Sequence, residues 1–221
     1  MKRLVFFALV ALCMGSSAMA LAKEPAENSA ATTVGPSKFY HRFYAGYAPT
    51  IFYTERGDKN VSDLLNGFNV GWMSGFNVTK CRLPLYTEVG VKANVGLGDF
   101  LSDNDKYLAI EIPVNVAYRF SIPNTKIHLS PYLGVNFKVN ALGKDEDGLD
   151  YFDIDGTKRF QFGMQVGGHF DFNHFYLGLG FSADFLPIFD GGDKHLYRYG
   201  DRLYSRDVHT CGFFVNAGVV F

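Results

Sequence analysis

The chain has little cysteine, little charge and no long apolar run beyond its first residues, and each shortage excludes a class. Cys13, Cys81 and Cys211 are the three cysteines of 221 residues. Cys13 falls in a segment expected to be removed, and the remaining two cannot build a disulfide framework. By their places in the strand pattern set out below, Cys81 in a turn and Cys211 toward the far end of the last strand, they lie too far apart for a bridge, which needs Cα atoms within about 7 Å. Charged residues make up 19% of the chain, and 21 Lys and Arg against 22 Asp and Glu leave a formal charge of -1. That balance lacks the basic field on which nucleic-acid binding depends. No stretch reaches the roughly 20 apolar residues of a membrane helix. What is abundant is 22 Phe, 13 Tyr and 24 Gly, a mixture suited to closely packed strands with aromatic surfaces.

The N-terminus indicates the compartment. Lys2 and Arg3 precede "LVFFALVALCMG" and the small residues of "SSAMALA", the order of a secretory signal peptide, here assigned to residues 1–22. Leu12 before Cys13 is too bulky for lipoprotein processing. Residues 23–37, "KEPAENSAATTVGPS", are small and polar and are expected to form a flexible periplasmic leader.

From residue 38 onward the period is two. In "GFNVGWMSGFNV" Phe68, Val70, Trp72, Phe76 and Val78 share one face, while Asn69, Gly71, Met73, Gly75 and Asn77 share the other, which is strand alternation. The same alternation runs through "LYTEVGVKANVGL", "LAIEIPVNVAYRF", "IHLSPYLGVNFKVN", "RFQFGMQVGGHFDF" and "FYLGLGFSADF". With Tyr40 to Tyr53 and the closing run Val208 to Phe221, eight segments result. Long connections, around residues 55 to 66, 98 to 107, 141 to 158 and 187 to 207, alternate with the short ones "KCRLP", "SIPNTK" and "FNH". Short turns at one end and long loops at the other are the signature of a bacterial transmembrane barrel.

The composition of the two faces separates that barrel from a soluble one. A lipocalin-like barrel carries its apolar residues inward and charges outward at nearly every position. Here one face is almost unbroken Phe, Leu, Val and Ile, and the other is Gly, Asn, Gln and Ser with a few charges of both signs. The expected fold is an all-β, eight-stranded antiparallel transmembrane up-and-down β-barrel over residues 38–221. Because an unpaired strand edge cannot be satisfied in lipid, the last strand must pair with the first, with Phe213, Val215, Ala217, Val219 and Phe221 facing hydrocarbon. Pro113 points inward in a strand flanked on both sides, which predicts a bulge or kink.

These residues resemble the outer-membrane β-barrel proteins of Gram-negative bacteria, of the small OmpA/OmpX-like and porin-family kind. The terminal Phe after alternating apolar residues carries the likeness, with "EIPVNVAYRF" and "PYLGVNF" similar to the fourth and fifth strands of such barrels. The resemblance implies an outer-membrane location and no cofactor. It also implies recognition by the barrel-assembly machinery through Phe213, Val219 and Phe221, contact with outer-membrane lipid and lipopolysaccharide, and a monomer. The cell-wall-binding domain of the OmpA architecture is not expected after this barrel.

The inward face carries Glu88, Lys92, Glu111, Arg119, Lys138, His169 and Asp184. Lys92 is expected beside Glu111, and Glu88 beside Arg119. Opposite charges in a narrow interior neutralise one another, so the expected role is structural or surface-interacting with a largely plugged lumen. The alternative is a narrow channel for small solutes or hydrophobic compounds. His128 and Ser130 have the spacing of a lipid A deacylase family, but they fall near the short turns and toward the lumen, so no catalysis is expected. The loop "KDEDGLDYFDIDG" lacks the calcium-loop spacing, and no metal is expected. In the fourth loop Arg198, Arg202 and Arg206 alternate with tyrosines and are candidates for gripping lipopolysaccharide phosphates.

Overall fold

The computed structural model describes residues 39–54, 62, 64–78, 83–97, 106–144, 157–189 and 207–221, positions 148, 150 and 152, and the backbone of 55–56, 59–61, 63, 98, 105, 197–199 and 202–204. The signal peptide and leader expected at residues 1–37, Cys81, Arg206 and most of the acidic loop lie outside the described residues. The strands are β1 (Phe39–Tyr47), β2 (Thr50–Arg56), β3 (Lys59–Leu65), β4 (Gly67–Asn77), β5 (Leu85–Gly98), β6 (Asp105–Tyr118) and β7 (Phe120–Ser121). They continue as β8 (Ile127–Lys144), β9 (Phe160–Phe172), β10 (Phe175–Asp184), β11 (Tyr197–Tyr199), β12 (Arg202–Tyr204) and β13 (His209–Val220).

Eight of these form a closed ring in the order β1, β4, β5, β6, β8, β9, β10, β13, with β13 returning to β1. Every neighbouring pair in the ring is antiparallel. Closure runs to the last residue: the Phe221 N–H donates to the His41 carbonyl and the His41 N–H to the Phe221 carbonyl, both at 3.0 Å. The seam therefore leaves no open edge where the two terminal strands meet.

Alternation decides which side chain goes where. Phe68 (60% exposed), Val70, Leu179 and Phe175 point outward, while Asn69, Glu88, Asn115 and Gln165 on the opposite faces are buried. A protein folding in water does the reverse. Each inward Tyr needs room, and glycine supplies it: Tyr40 lies opposite Gly75, Tyr44 opposite Gly71, Tyr132 opposite Gly167 and Tyr176 opposite Gly218. A Cβ on Gly71 would stand 2.6 Å from the Tyr44 ring, so the abundance of glycine and tyrosine is one design, a ring laid over bare backbone on the next strand.

Three expectations are corrected. The first ascending segment breaks at Ala48 and Pro49, and much of the expected loop 55 to 66 is strand: β2 and β3 continue the β1–β4 hairpin in the same register, and β2 carries on the seam with β13 at Ile51–Tyr53. The fourth connection likewise contains the β11–β12 hairpin. Pro113 carries no bulge. The β5–β6 register is the same on either side of it, and only the pairings of Gly90 and Val91 lapse, because the missing N–H removes one rung without adding a residue. The register shift in β6 lies instead at Leu108/Ala109, against β8.

Candidate lumen site

The lumen is filled by a charged network toward the short turns, a second one toward the long connections, and an apolar cap above the latter. All seven inward titratable residues expected from the sequence are buried, and Arg42 and Asp171 join them. Setting His169 aside, the described residues place four cations (Arg42, Lys92, Arg119, Lys138) and four anions (Glu88, Glu111, Asp171, Asp184) in the interior. Balance of this kind is what makes burial tolerable, since an unpaired ion in a dry interior is costly.

Arg42 organises the first network. Its Nη1 donates to Glu88 Oε1 at 2.6 Å, and its Nη2 and Nε donate to the two Asp171 oxygens at 2.9 and 3.2 Å. The two-bonded fork fixes geometry as well as charge. The second Glu88 oxygen accepts from Asn115 at 3.2 Å and lies 3.2 Å from His169 Nε2. His169 in turn stacks on Tyr132 and meets the Tyr176 hydroxyl at 3.0 Å through Nδ1. Tyr40 donates to Glu88, and its ring lies 4.4 Å from both the Arg42 and Arg119 guanidinium carbons, a cation–π arrangement. The expected approach of Glu88 to Arg119 is not made: Arg119 turns to Asp171 at 3.2 Å, while Glu88 is taken by Arg42 of β1, two staves away. Height along adjacent strands is a poor guide here, because β1 and β9 face this point across a narrow cylinder.

Lys92 and Glu111 are register partners on β5 and β6, with Nζ and Oε2 2.7 Å apart. Asn94 donates to the same carboxylate. Nearer the long connections Lys138 and Thr210 both donate to Asp184, and Gln161 links Thr210 to Asn140, with bonds of 3.0 Å on each side. Above them Phe52, Leu65, Tyr107, Ile188 and Val208 form a buried apolar cluster. Between the networks is a void bordered by Tyr44, Lys92, Gln165 and Phe214, barely large enough for one water molecule.

Arg42, Asp171, Asn115, Asn140, Gln161 and Thr210 were not singled out from the sequence. Parity would have found Asp171, which shares a face with His169 two residues earlier. Arg42 is harder, because both faces of "FYHRFYAGY" are aromatic. His128 meets Ser121 at 2.9 Å and not Ser130, whose buried hydroxyl has no hydrogen-bond partner among the described residues. Arg198 and Arg202 lie on the β11–β12 hairpin, and their side chains lie outside the described residues. Of the acidic loop, Asp150 is described. It accepts from Arg159 at 3.3 Å and from the Phe152 N–H at 2.9 Å.

On the outer face Phe213, Val215, Val219 and Phe221 are exposed. Phe221 packs against Phe43 with centroids 6.4 Å apart, across the seam.

No family model and no curated protein matches the chain. Among solved structures it is similar to Ail, the attachment invasion locus protein of Yersinia pestis, solved with the heparin analogue sucrose octasulfate. That similarity has 13% identity and a TM-score of 0.43, covering 84% of this chain and 100% of the other. It is also similar to Neisserial surface protein A, at 14% identity and a TM-score of 0.42 over 84% and 98% of the two chains. The architecture rests on the strand register above and on neither likeness. With a ring closed through β1 and β13, an apolar outer wall and a polar interior, this chain is an eight-stranded antiparallel β-barrel of the transmembrane kind.

Proposed function

We propose that the protein resides in the outer membrane as a structural or surface-interaction barrel whose lumen is too fully occupied to conduct. The observation that carries this reading is the pairing of the buried charges. Arg42, Lys92, Arg119 and Lys138 each have a carboxylate partner inside the cylinder. An aqueous path would hydrate such charges and hold them apart. The apolar cap of Phe52, Leu65, Ile188 and Val208 supports the same conclusion at the end carrying the long connections. The strand-built projections β2–β3 and β11–β12 at that end offer the surface for interaction. On this reading the chain is a monomer that the barrel-assembly machinery recognises through Phe213, Val219 and Phe221, and it is no enzyme.

Conductance of the refolded chain in planar bilayers tests this. Wild type and Lys92→Ala are expected to be silent. Discrete current steps in the wild type would replace the plugged scaffold with a narrow channel for small solutes or hydrophobic compounds.

A further inference from the structure

The bulge between β6 and β8 has a consequence on the outside of the barrel. Leu108 pairs with Leu142, but Ala109 pairs with Asn140, so Ala141 is the extra residue. Before it the even positions of β8 point inward, Lys138 and Asn140 among them; after it Gly143 is buried while Leu142 and Lys144 are exposed. The extra residue reverses the parity of the strand end, as bulges do when they re-aim a side chain. Arg159 braces the irregularity, donating to the freed Ala141 carbonyl at 3.2 Å and to Asp150 at 3.3 Å.

The re-aimed Lys144 stands directly opposite Lys106 in the register, and both are exposed. Like charges at directly opposed positions repel. Among the described residues neither ammonium has a carboxylate partner, and Asp150, bridged to Lys144 through the backbone, gives its carboxylate to Arg159. Leu97 flanks Lys106 in the same row, and the next row toward the membrane on the same outer face is the opposed pair Leu108 and Leu142; Leu97 and Leu142 are exposed apolar residues. A pair of cations above an apolar wall is complementary to an anionic headgroup above its acyl chains.

We infer that Lys106 and Lys144, brought together by the Ala141 bulge, form a site on the outer wall for the phosphate of a membrane lipid headgroup, with Leu97 flanking it and Leu108 and Leu142 receiving its acyl chains. The inference rests on the membrane reading above, although not on whether the lumen conducts.

The full refolded chain is mixed with vesicles of phosphatidylcholine alone or with phosphatidic acid added, and lipid retained on the protein is counted by native mass spectrometry. Wild type should prefer phosphatidic acid, by about fivefold for each lysine engaged. K106Q/K144Q should lose that preference and K106R/K144R keep it. Equal retention of both lipids by the wild type, or an undiminished preference in K106Q/K144Q, overturns the site. Inorganic phosphate alone, protecting the two lysines from acylation as well as phosphatidic acid does, overturns its assignment to a lipid. Flotation with phosphatidylcholine vesicles is a separate readout. A chain that floats but shows no preference refutes only this site, and one that fails to float refutes the membrane reading.

Discussion

Arg42 and Asp171, 129 residues apart in the chain, hold each other through two N–H···O bonds of 3.2 and 2.9 Å at a point where both side chains are wholly shielded from solvent. Neither is close to the other in the ring order. The pair exists because β1 and β9 look at each other across a cylinder narrow enough for side chains to span.

Removing one member should therefore cost far more than a surface ion pair would. Arg42→Met leaves Glu88 buried without its guanidinium and Asp171 with Arg119 alone, and a loss of about 3–5 kcal/mol is expected for such a break. Urea unfolding of the barrel in lipid vesicles measures it. The double variant R42M/E88Q, which keeps Asp171 for Arg119, should recover a substantial part of the loss; equal stability of wild type and R42M would show that the network contributes little.

Lys138 and Asp184 provide a second case with a different arrangement, since Thr210 and Asn136 also donate to Asp184. Lys138→Met alone should destabilise. Lys138→Met combined with Asp184→Asn should approach wild type, because the uncompensated charge has gone. A double variant as unstable as the sum of its single changes would argue that the hydrogen bonds, not the charge, dominate.

The laying of tyrosine over glycine predicts a steric penalty inside the lumen. Gly71→Leu forces the Tyr44 ring, 2.6 Å from the position of a new Cβ, off its place. An overpacking cost of about 1–3 kcal/mol is expected. Tyr44→Ala in the same background should relieve it, and a G71L barrel as stable as wild type would mean that the ring moves freely.

On the outer wall the sign reverses. Leu179 is 60% exposed near the middle of β10, and Leu179→Arg should cost about 2–4 kcal/mol in lipid, the range for a cation at mid-depth. A water-facing wall would accept the change without loss, so an L179R chain of unaltered stability would contradict the assignment of that face.

Much of this was legible in the alternation. Phe68, Val70, Val89, Leu179 and Phe213 fall outward as their parity requires, and the Lys92–Glu111 partnership follows from counting along two adjacent strands. What counting cannot give is contact across the lumen. Glu88 and Arg119 sit on neighbouring staves, yet their partners come from β1 and β9, which no local pattern connects to them. The Ala141 bulge was hidden for a related reason: "VNALGK" carries no signal that one residue is supernumerary until it is laid against β6. Pro113 misled in the other direction, since a proline that merely omits one rung leaves the same sequence mark as one that shifts the register.

The unbroken register from the β1–β4 hairpin into β2–β3 has a mechanical meaning. The β2–β3 ladder is the prolongation of two staves, and β2 shares with β1 the seam to β13. A tug on that ladder travels down the staves as shear, shared by many rungs at once instead of peeling them singly. A load placed on β2 or β3 is thus received by the wall itself, through β1, β4 and β13 together.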